Sequence, residues 1–225
     1  MVGRHGMRLV VFDLDGTLVD SLPDLSDCVG LLLAEHGLPA PSQDAVRTMI
    51  GDGVGRLVER ALDHAGAKNI DPQSAVHRFM ELYGPRSTDR SRLFPGAEET
   101  LHRLASEGVA LAVCTNKPVL AATDILRTLG VLNLFAAVGG GDSFPARKPD
   151  PAHLLGTIAL ANSTPARSIM VGDHANDILA AQGAGVDSIF AGWGYGIPAY
   201  AAGASAEAEK FSDIPALADT LLATD

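Results

Sequence analysis

The chain has 225 residues, enough for one α/β domain carrying a second, inserted one, and with 47% hydrophobic and 20% charged residues it is globular and not disordered. A formal net charge of −10 argues against nucleic acid or an anionic membrane as a partner, since both select basic patches. No uninterrupted apolar run approaches the roughly 18 residues of a membrane span, and Met1-Val2-Gly3-Arg4-His5-Gly6 is too short and polar for a signal peptide, so a cytoplasmic setting is expected.

The first element is the apolar run Leu9-Val10-Val11-Phe12, which fits a strand buried on both faces of a parallel sheet. It leads into Asp13-Leu14-Asp15-Gly16-Thr17. An unpaired charge inside a core is costly, so both aspartates are expected at the strand's C-terminal edge, where open α/β sheets bind ligands. Three readings suit two acids one residue apart. Asp15 can be a turn former or helix cap beside Gly16. A calcium loop needs further oxygen ligands at alternate positions, and neither Leu18 nor Val19 supplies one. An aspartate nucleophile with a neighbouring acid/base and a hard cation also fits such a loop. The choice depends on what the rest of the chain brings to the same edge.

Residues 21–36 carry Leu25, Val29, Leu32 and Leu33 on one helical face, with Gly37 as the stop. Pro39 and Pro41 break the chain, Ser42 caps a short helix with Ala45, Val46 and Met49, and Gly51-Asp52-Gly53 ends it. A third helix over 54–65 has an apolar face of Leu57, Val58, Ala61 and Leu62. Asp71-Pro72 opens a fourth, lined by Val76, Phe79, Met80 and Tyr83. Residues 20–92 therefore read as helical, with a polar, breaker-rich return over 84–92, while both flanks alternate strand and helix. That shift predicts a core of 1–19 and 93–225 with a helical domain of 20–92 inserted, and two crossing linkers that make a hinge.

After Phe94-Pro95-Gly96 a helix runs through Leu101 and Leu104 to a stop at Gly108. Val109-Ala110-Leu111-Ala112-Val113-Cys114 is the second buried strand. Its cysteine and Cys28, far apart in sequence, are expected to be free buried thiols. A helix over 119–129, a short strand at 136–138, a helix over 151–160, a strand at 168–171, a helix over 176–183 and a strand at 186–191 follow. Residues 199–208 are alanine-rich without a repeat. The pattern is that of an α/β fold, a doubly wound, mostly parallel sheet with an all-helical insert.

The later strands end in polar clusters. Thr115-Asn116-Lys117 offers a hydroxyl and an amide able to bind phosphoryl oxygens, or simply a helix cap before Pro118. Arg147-Lys148-Pro149-Asp150-Pro151 offers cations at a helix start, or only a proline-set turn. Gly172-Asp173-His174-Ala175-Asn176-Asp177 supplies two carboxylates one helical turn apart, or an N-cap and a favourable first-turn acid. Carboxylate oxygens beside a phosphate suit Mg²⁺, whereas zinc lacks a second His or Cys at ligand spacing from His174.

Asp13-Leu14-Asp15-Gly16-Thr17-Leu18-Val19-Asp20-Ser21 resembles the first motif of the haloacid dehalogenase-like hydrolases, most of which are phosphatases working through an aspartyl-phosphate. Thr115-Asn116, Lys148-Pro149 and Gly172-Asp173 with Asp177 resemble the next three motifs, in order. The resemblance implies a Rossmann-like core with a helical cap, Mg²⁺ as cofactor and a small phosphorylated metabolite as partner, in a monomer or homodimer. It makes Asp13 the nucleophile and Asp15 the acid/base. Thr115 and Asn116 would hold the phosphate, with Gly16 and Thr17 also at the substrate. Lys148, not Arg147 or Lys117, would neutralise charge. Asp13, Asp15 and Asp173 would hold the metal, with Asp177 ligating through water or orienting Asp173. His174 stands where many relatives carry serine.

Within that family, Asp15 argues against the halide-removing branch, and Lys68, the only lysine between Asp20 and Leu93, lies in a polar break unsuited to the phosphonate-cleaving branch. A sugar-phosphate mutase shares all four motifs. Ile50-Gly51-Asp52-Gly53-Val54-Gly55-Arg56-Leu57-Val58-Glu59-Arg60-Ala61-Leu62, with Trp193-Gly194-Tyr195-Gly196, looks like the phosphoglycolate phosphatase branch. Gly51 and Gly53 would let backbone approach a small ligand, and Arg56 would pair with a carboxylate or distal phosphate, or else stand as a solvated helix cation. A non-enzyme phosphate-binding module on the same fold has no need for both Asp13 and Asp15.

Overall fold

The structure is a computed structural model that describes residues 7–223. The reading of Met1 to Gly6 as too short and polar for a signal peptide falls outside the described residues. The apolar opening run forms β1 (Leu9–Phe12), followed by the short β2 (Val19–Asp20). Four helices come next: α1 (Leu22–Ala34), α2 (Gln43–Arg47), α3 (Val54–His64) and α4 (Pro72–Tyr83). β3 (Arg92–Leu93) then pairs antiparallel with β2. Strand and helix alternate from there through α5 (Ala97–Ser106), β4 (Ala110–Cys114), α6 (Val119–Thr128), β5 (Ala137–Gly139) and α7 (Pro151–Leu160). β6 (Ser168–Gly172), α8 (Ala175–Ala184), β7 (Asp187–Ala191), β8 (Ala206–Ala208) and α9 (Ile214–Leu222) complete the chain.

The main sheet has the order β5-β4-β1-β6-β7-β8, with every pairing parallel. β1 lies between β4 and β6, so Leu9 faces Ala110 on one side and Ser168 on the other. The chain builds outward through β4 and β5, then crosses back beside β1 and builds the other way. That reversal opens a crevice at the carboxyl ends of β1, β4 and β6. Side chains alternate along β1: Val10 and Phe12 pack with Leu101, Leu104 and Ile214 on one face, Leu9 and Val11 with Leu154, Ile158 and Ala180 on the other. Both faces are covered by helices, which is why the run is apolar at every residue.

α1 to α4 gather around an apolar cluster of their own, in which Leu25, Val29, Leu32, Val46, Leu57, Ala61 and Phe79 meet. The cap read at Ser42 is present, its Oγ accepting from Ala45 N at 3.2 Å, and at the fourth helix Asp71 is found to cap as well, its Oδ2 accepting from Ser74 N at 2.8 Å. The chain's two crossings between helices and sheet are fastened together. Buried Asp24 of α1 accepts from Arg90 N, Ser91 N and Ser91 Oγ, the last at 2.6 Å, beside the β2–β3 pair. Four elements were not read from the sequence: the short pair β2 and β3, and β8 and α9. β8 forms in the alanine-rich tract only because β7 offers it a ladder, since alanine has little strand preference of its own. α9 buries Ile214, Ala218 and Leu222 at helical spacing, a signal that was legible. Cys28 and Cys114 are free and buried. No described helix is long and apolar enough to cross a membrane.

Candidate active site

The parallel ladder carries Asp13 to the sheet edge: its N–H donates to Val171 O at 2.9 Å, one step past the last residue of β1. The chain then turns sharply, with Leu18 N and Val19 N both donating to Leu14 O. Gly16 has φ +86°, and a Cβ there would sit 2.5 Å from Asp173 Oδ2, so conformation and space both demand glycine. Gly172, at the end of β6, is equally constrained, because a Cβ would overlap the Asp177 carboxyl group.

Asp13, Asp173 and Asp177 are all buried, and each offers an oxygen such that the three lie within 4.8 Å of one another. Asp173 and Asp177 are held from behind. Asp173 Oδ1 accepts from Thr17 Oγ1 at 2.9 Å, and Oδ2 from Tyr195 N and Gly196 N at 2.7 and 3.2 Å. Asp177 Oδ2 accepts from His174 N at 3.0 Å, and Oδ1 faces Lys148 Nζ at 2.6 Å. Lys148 Nζ also reaches Cys114 O at 2.5 Å and lies 2.9 Å from Asp13 Oδ1. That last approach is off-axis, which leaves Asp13 Oδ1 with no hydrogen-bond partner among the described residues. His153 Nδ1 accepts from Lys148 N at 3.2 Å and so fixes the loop before α7; the Lys148–Pro149 peptide is cis.

Burial pushes the Asp13 carboxyl up to about 6, with Lys148 opposing and Asp177 adding to the shift. Burial and the charges of Asp13 and Asp177 push Asp173 up to about 7. For Lys148, burial works downward, but Asp13 and Asp177 outweigh it and hold the ammonium well above its ordinary value. Three crowded carboxylates against one ammonium leave a net negative, buried site in which Asp13 Oδ1 has Lys148 beside it but no aligned hydrogen bond among the described residues. A hard, oxygen-seeking divalent cation fits that donor set.

The other expected residues fall in several places. Asp15 was read as a metal ligand, but its carboxylate turns away from the cluster: both oxygens lie 3.0 Å from Lys117 Nζ, and Oδ1 accepts from Ser21 Oγ at 2.6 Å. Asp177 takes the third place, because the turn at Gly16 swings Asp15 toward the loop after β4. Thr17 spends its hydroxyl on Asp173, and Gly16 donates its N–H to Val19 O, so neither is presented to a substrate. Asn116 uses Nδ2 on Gly51 O and Lys148 O, at 3.1 and 2.9 Å, and thereby ties the helical segment to the sheet edge. Thr115 only accepts, from Lys117 N at 3.2 Å, which leaves its hydroxyl hydrogen free at the cavity. Arg56 does not join the residues around Asp13; it is solvent-exposed on α3 and pairs with Glu59 at 2.5 Å.

Lys117 and Ser21 were missed as partners of Asp15, and the only signal was their presence in polar stretches beside strands. The main chain at Tyr195 and Gly196 was noted in sequence but its task, gripping Asp173, was not. His174 caps α8, its Nδ1 accepting from Asn176 N at 3.2 Å, and burial lowers its basicity in keeping with a neutral acceptor. Between the sheet edge and α1, α3 and α4 lies a narrow cavity of about 40 Å³. Asp13, Asp15, Thr115 and Lys117 line its polar side; Leu57, Phe79 and Met80 are among its apolar walls.

Known proteins resemble the chain throughout. The family described as "Haloacid dehalogenase-like hydrolase" matches residues 10–191. A protein of Caulobacter vibrioides named phosphoglycolate phosphatase is 40% identical over 217 residues, covering 95% of this chain and 91% of that protein. Another of that name, from Agrobacterium fabrum, is 42% identical over 197 residues, 87% of this chain and 84% of its own. A crystal structure from Haemophilus somnus, described as a predicted phosphoglycolate phosphatase, superposes with a TM-score of 0.85 at 36% identity, covering 94% of this chain and 97% of that one. The chain belongs to the haloacid dehalogenase-like hydrolases.

Proposed function

We propose that the protein is a Mg²⁺-dependent phosphate monoester hydrolase whose substrate is 2-phosphoglycolate, and that it works through an aspartyl-phosphate on Asp13. The observation that carries the reading is the buried trio Asp13, Asp173 and Asp177, with Lys148 against two of them, at the end of a cavity walled by helices. The names of the Caulobacter and Agrobacterium relatives support the choice of ester, and the Ile50–Gly53 turn, close to the loop after β4, suits a compact one.

Mg²⁺ held by Asp13 and Asp173, with Asp177 behind them, would supply the positive charge that lets a phosphate dianion approach a carboxylate. Asp13 attacks phosphorus in line; the new O–P bond forms as the ester P–O bond breaks. Asp15, in its protonated form, gives its proton to the leaving alcohol oxygen; as the carboxylate it then takes one from a water whose oxygen bonds phosphorus as the Asp13–phosphorus bond breaks, releasing inorganic phosphate and free Asp13. Lys148 offsets charge on Asp13 and the transferring group, and the Thr115 hydroxyl donates to a phosphoryl oxygen. Residues 20–92 serve as a cap over 1–19 and 93–225, latched by Asn116 and Asn176 on Gly51 O, and keep bulk water from the acyl phosphate.

The test is phosphate release from 2-phosphoglycolate, hexose phosphates and nucleotides, with Mg²⁺ and with EDTA. Preference for phosphoglycolate, abolished by EDTA, is expected. Indifference among the esters defeats the substrate, and no release from any of them defeats the chemistry.

A further inference from the structure

Lys117 follows β4 on the same loop as Thr115 and is buried, yet Asp15 is the only group that accepts hydrogen bonds from its ammonium among the described residues. An ammonium has three donors. Its Nζ lies 4.7 Å above the ring centroid of Tyr83, the last residue of α4. The Tyr83 hydroxyl is buried beside that same ammonium, without a well-aligned hydrogen bond among the described residues. Both residues line the cavity that Asp13 and Asp15 line, and Lys117 is the one cation among its lining residues.

From this geometry, and resting on the phosphomonoesterase reading above, we infer that Lys117 and Tyr83 form a specificity subsite for a carboxylate on the carbon next to the ester oxygen. Proton transfer requires the ester oxygen to lie within hydrogen-bond reach of Asp15. Lys117 Nζ is 3.0 Å from both oxygens of that side chain, so an anionic group one carbon beyond the ester oxygen arrives at the ammonium. The Tyr83 hydroxyl then gains an acceptor. A neutral tail would leave the third N–H of Lys117 and the Tyr83 hydroxyl without an acceptor. Arg56, the cation singled out in the sequence for this task, is spent on Glu59 in solvent.

The experiment compares kcat/KM for 2-phosphoglycolate and for ethyl phosphate, in which a methyl replaces the carboxylate, with Mg²⁺ present. Lys117→Met is expected to lower the phosphoglycolate to ethyl phosphate ratio by about 100-fold, the size of a lost hydrogen bond to a charged group. Tyr83→Phe is expected to lower it by about tenfold, mostly through KM, the lower end for a lost hydrogen bond to a charged acceptor. Should Lys117→Met not fold, with Asp15 left unpaired, Tyr83→Phe decides alone, since its ring keeps the stack on Phe79. A ratio unchanged in Tyr83→Phe, or both esters slowed equally by Lys117→Met, overturns the subsite while leaving the phosphatase reading standing. Wild-type protein inactive on both esters overturns that reading before any variant is made.

Discussion

Lys148 and Asp177 form an ion pair shut away from water, Nζ to Oδ1 at 2.6 Å, with each side chain only 1% exposed. The same ammonium lies 2.9 Å from Asp13, so one positive charge serves two buried acids. Lys148→Met should therefore do more than slow the reaction. Leaving these carboxylates uncompensated should cost about 3–5 kcal/mol of stability, as breaking a buried pair does. Urea unfolding measures it, and a loss below about 1 kcal/mol would mean that the pair behaves like a surface one.

Asp13→Asn is expected to stop turnover and leave the fold intact. Burial and Asp177 both work against the charge on Asp13, so removing it should leave the melting temperature of the metal-free protein unchanged or higher. Retained turnover of any phosphate ester by this variant would remove Asp13 from the nucleophile's place.

Magnesium should stabilise the protein more at about pH 8 than at about pH 5. In the folded, metal-free protein Asp13 and Asp173 are raised from 3.8 to about 6 and about 7, so the native state binds more protons than the unfolded one across that window. Stability from these groups therefore falls as pH rises through it, and the deficit is complete above the folded values. His153, pushed by burial from 6.5 to about 4, runs the other way below its ordinary value, which makes the difference with and without the cation the clean readout. A bound cation replaces the protons, so its benefit grows with pH. An equal rise in melting temperature at both pH values would count against a cation at these carboxylates.

Asp15→Asn keeps an acceptor for Ser21 and Lys117 but cannot exchange a proton. Phosphoenzyme should form more slowly for want of an acid, and what forms should persist because its hydrolysis lacks a base. Acid quenching followed by intact-mass measurement would reveal it, and free phosphate released at the wild-type rate would exclude Asp15 as the acid/base.

Arg56→Ala should change kcat/KM for 2-phosphoglycolate by no more than about twofold, since its exposed pair with Glu59 is of the kind worth little. A loss of tenfold or more would place the guanidinium at the substrate after all.

Much of the site could be read from the chain because buried parallel strands announce themselves. A continuous apolar run such as Val10 to Phe12 has no room for charge, so the first acid after it marks the sheet edge. Asp13 and Asp173 were each placed at that edge in this way. The assignment of Lys148 leaned on resemblance, and the structure sets it against Asp13 and Asp177. What strand patterns did not reveal were the contacts between loops. Thr17 bonding Asp173 and Lys117 bonding Asp15 join residues 156 and 102 positions apart. Their pairing depends on how neighbouring loops turn, a property no single segment encodes. Asn116 illustrates the same limit: its amide was suited to phosphate, and it holds Gly51 O and Lys148 O instead.

By itself, the sequence determined the alternation of strand and helix, the helical stretch between β1 and β4, and the acids that end β1 and β6, because burial on both faces of a sheet leaves a one-dimensional trace. Only the tertiary structure decided which carboxylates meet, that Asp177 and not Asp15 joins Asp13 and Asp173, and that Lys117 faces Tyr83 across the cavity. Those outcomes follow from side-chain direction at turns and from the approach of segments distant in sequence, where a change of one residue in register or one rotation in φ selects a different partner.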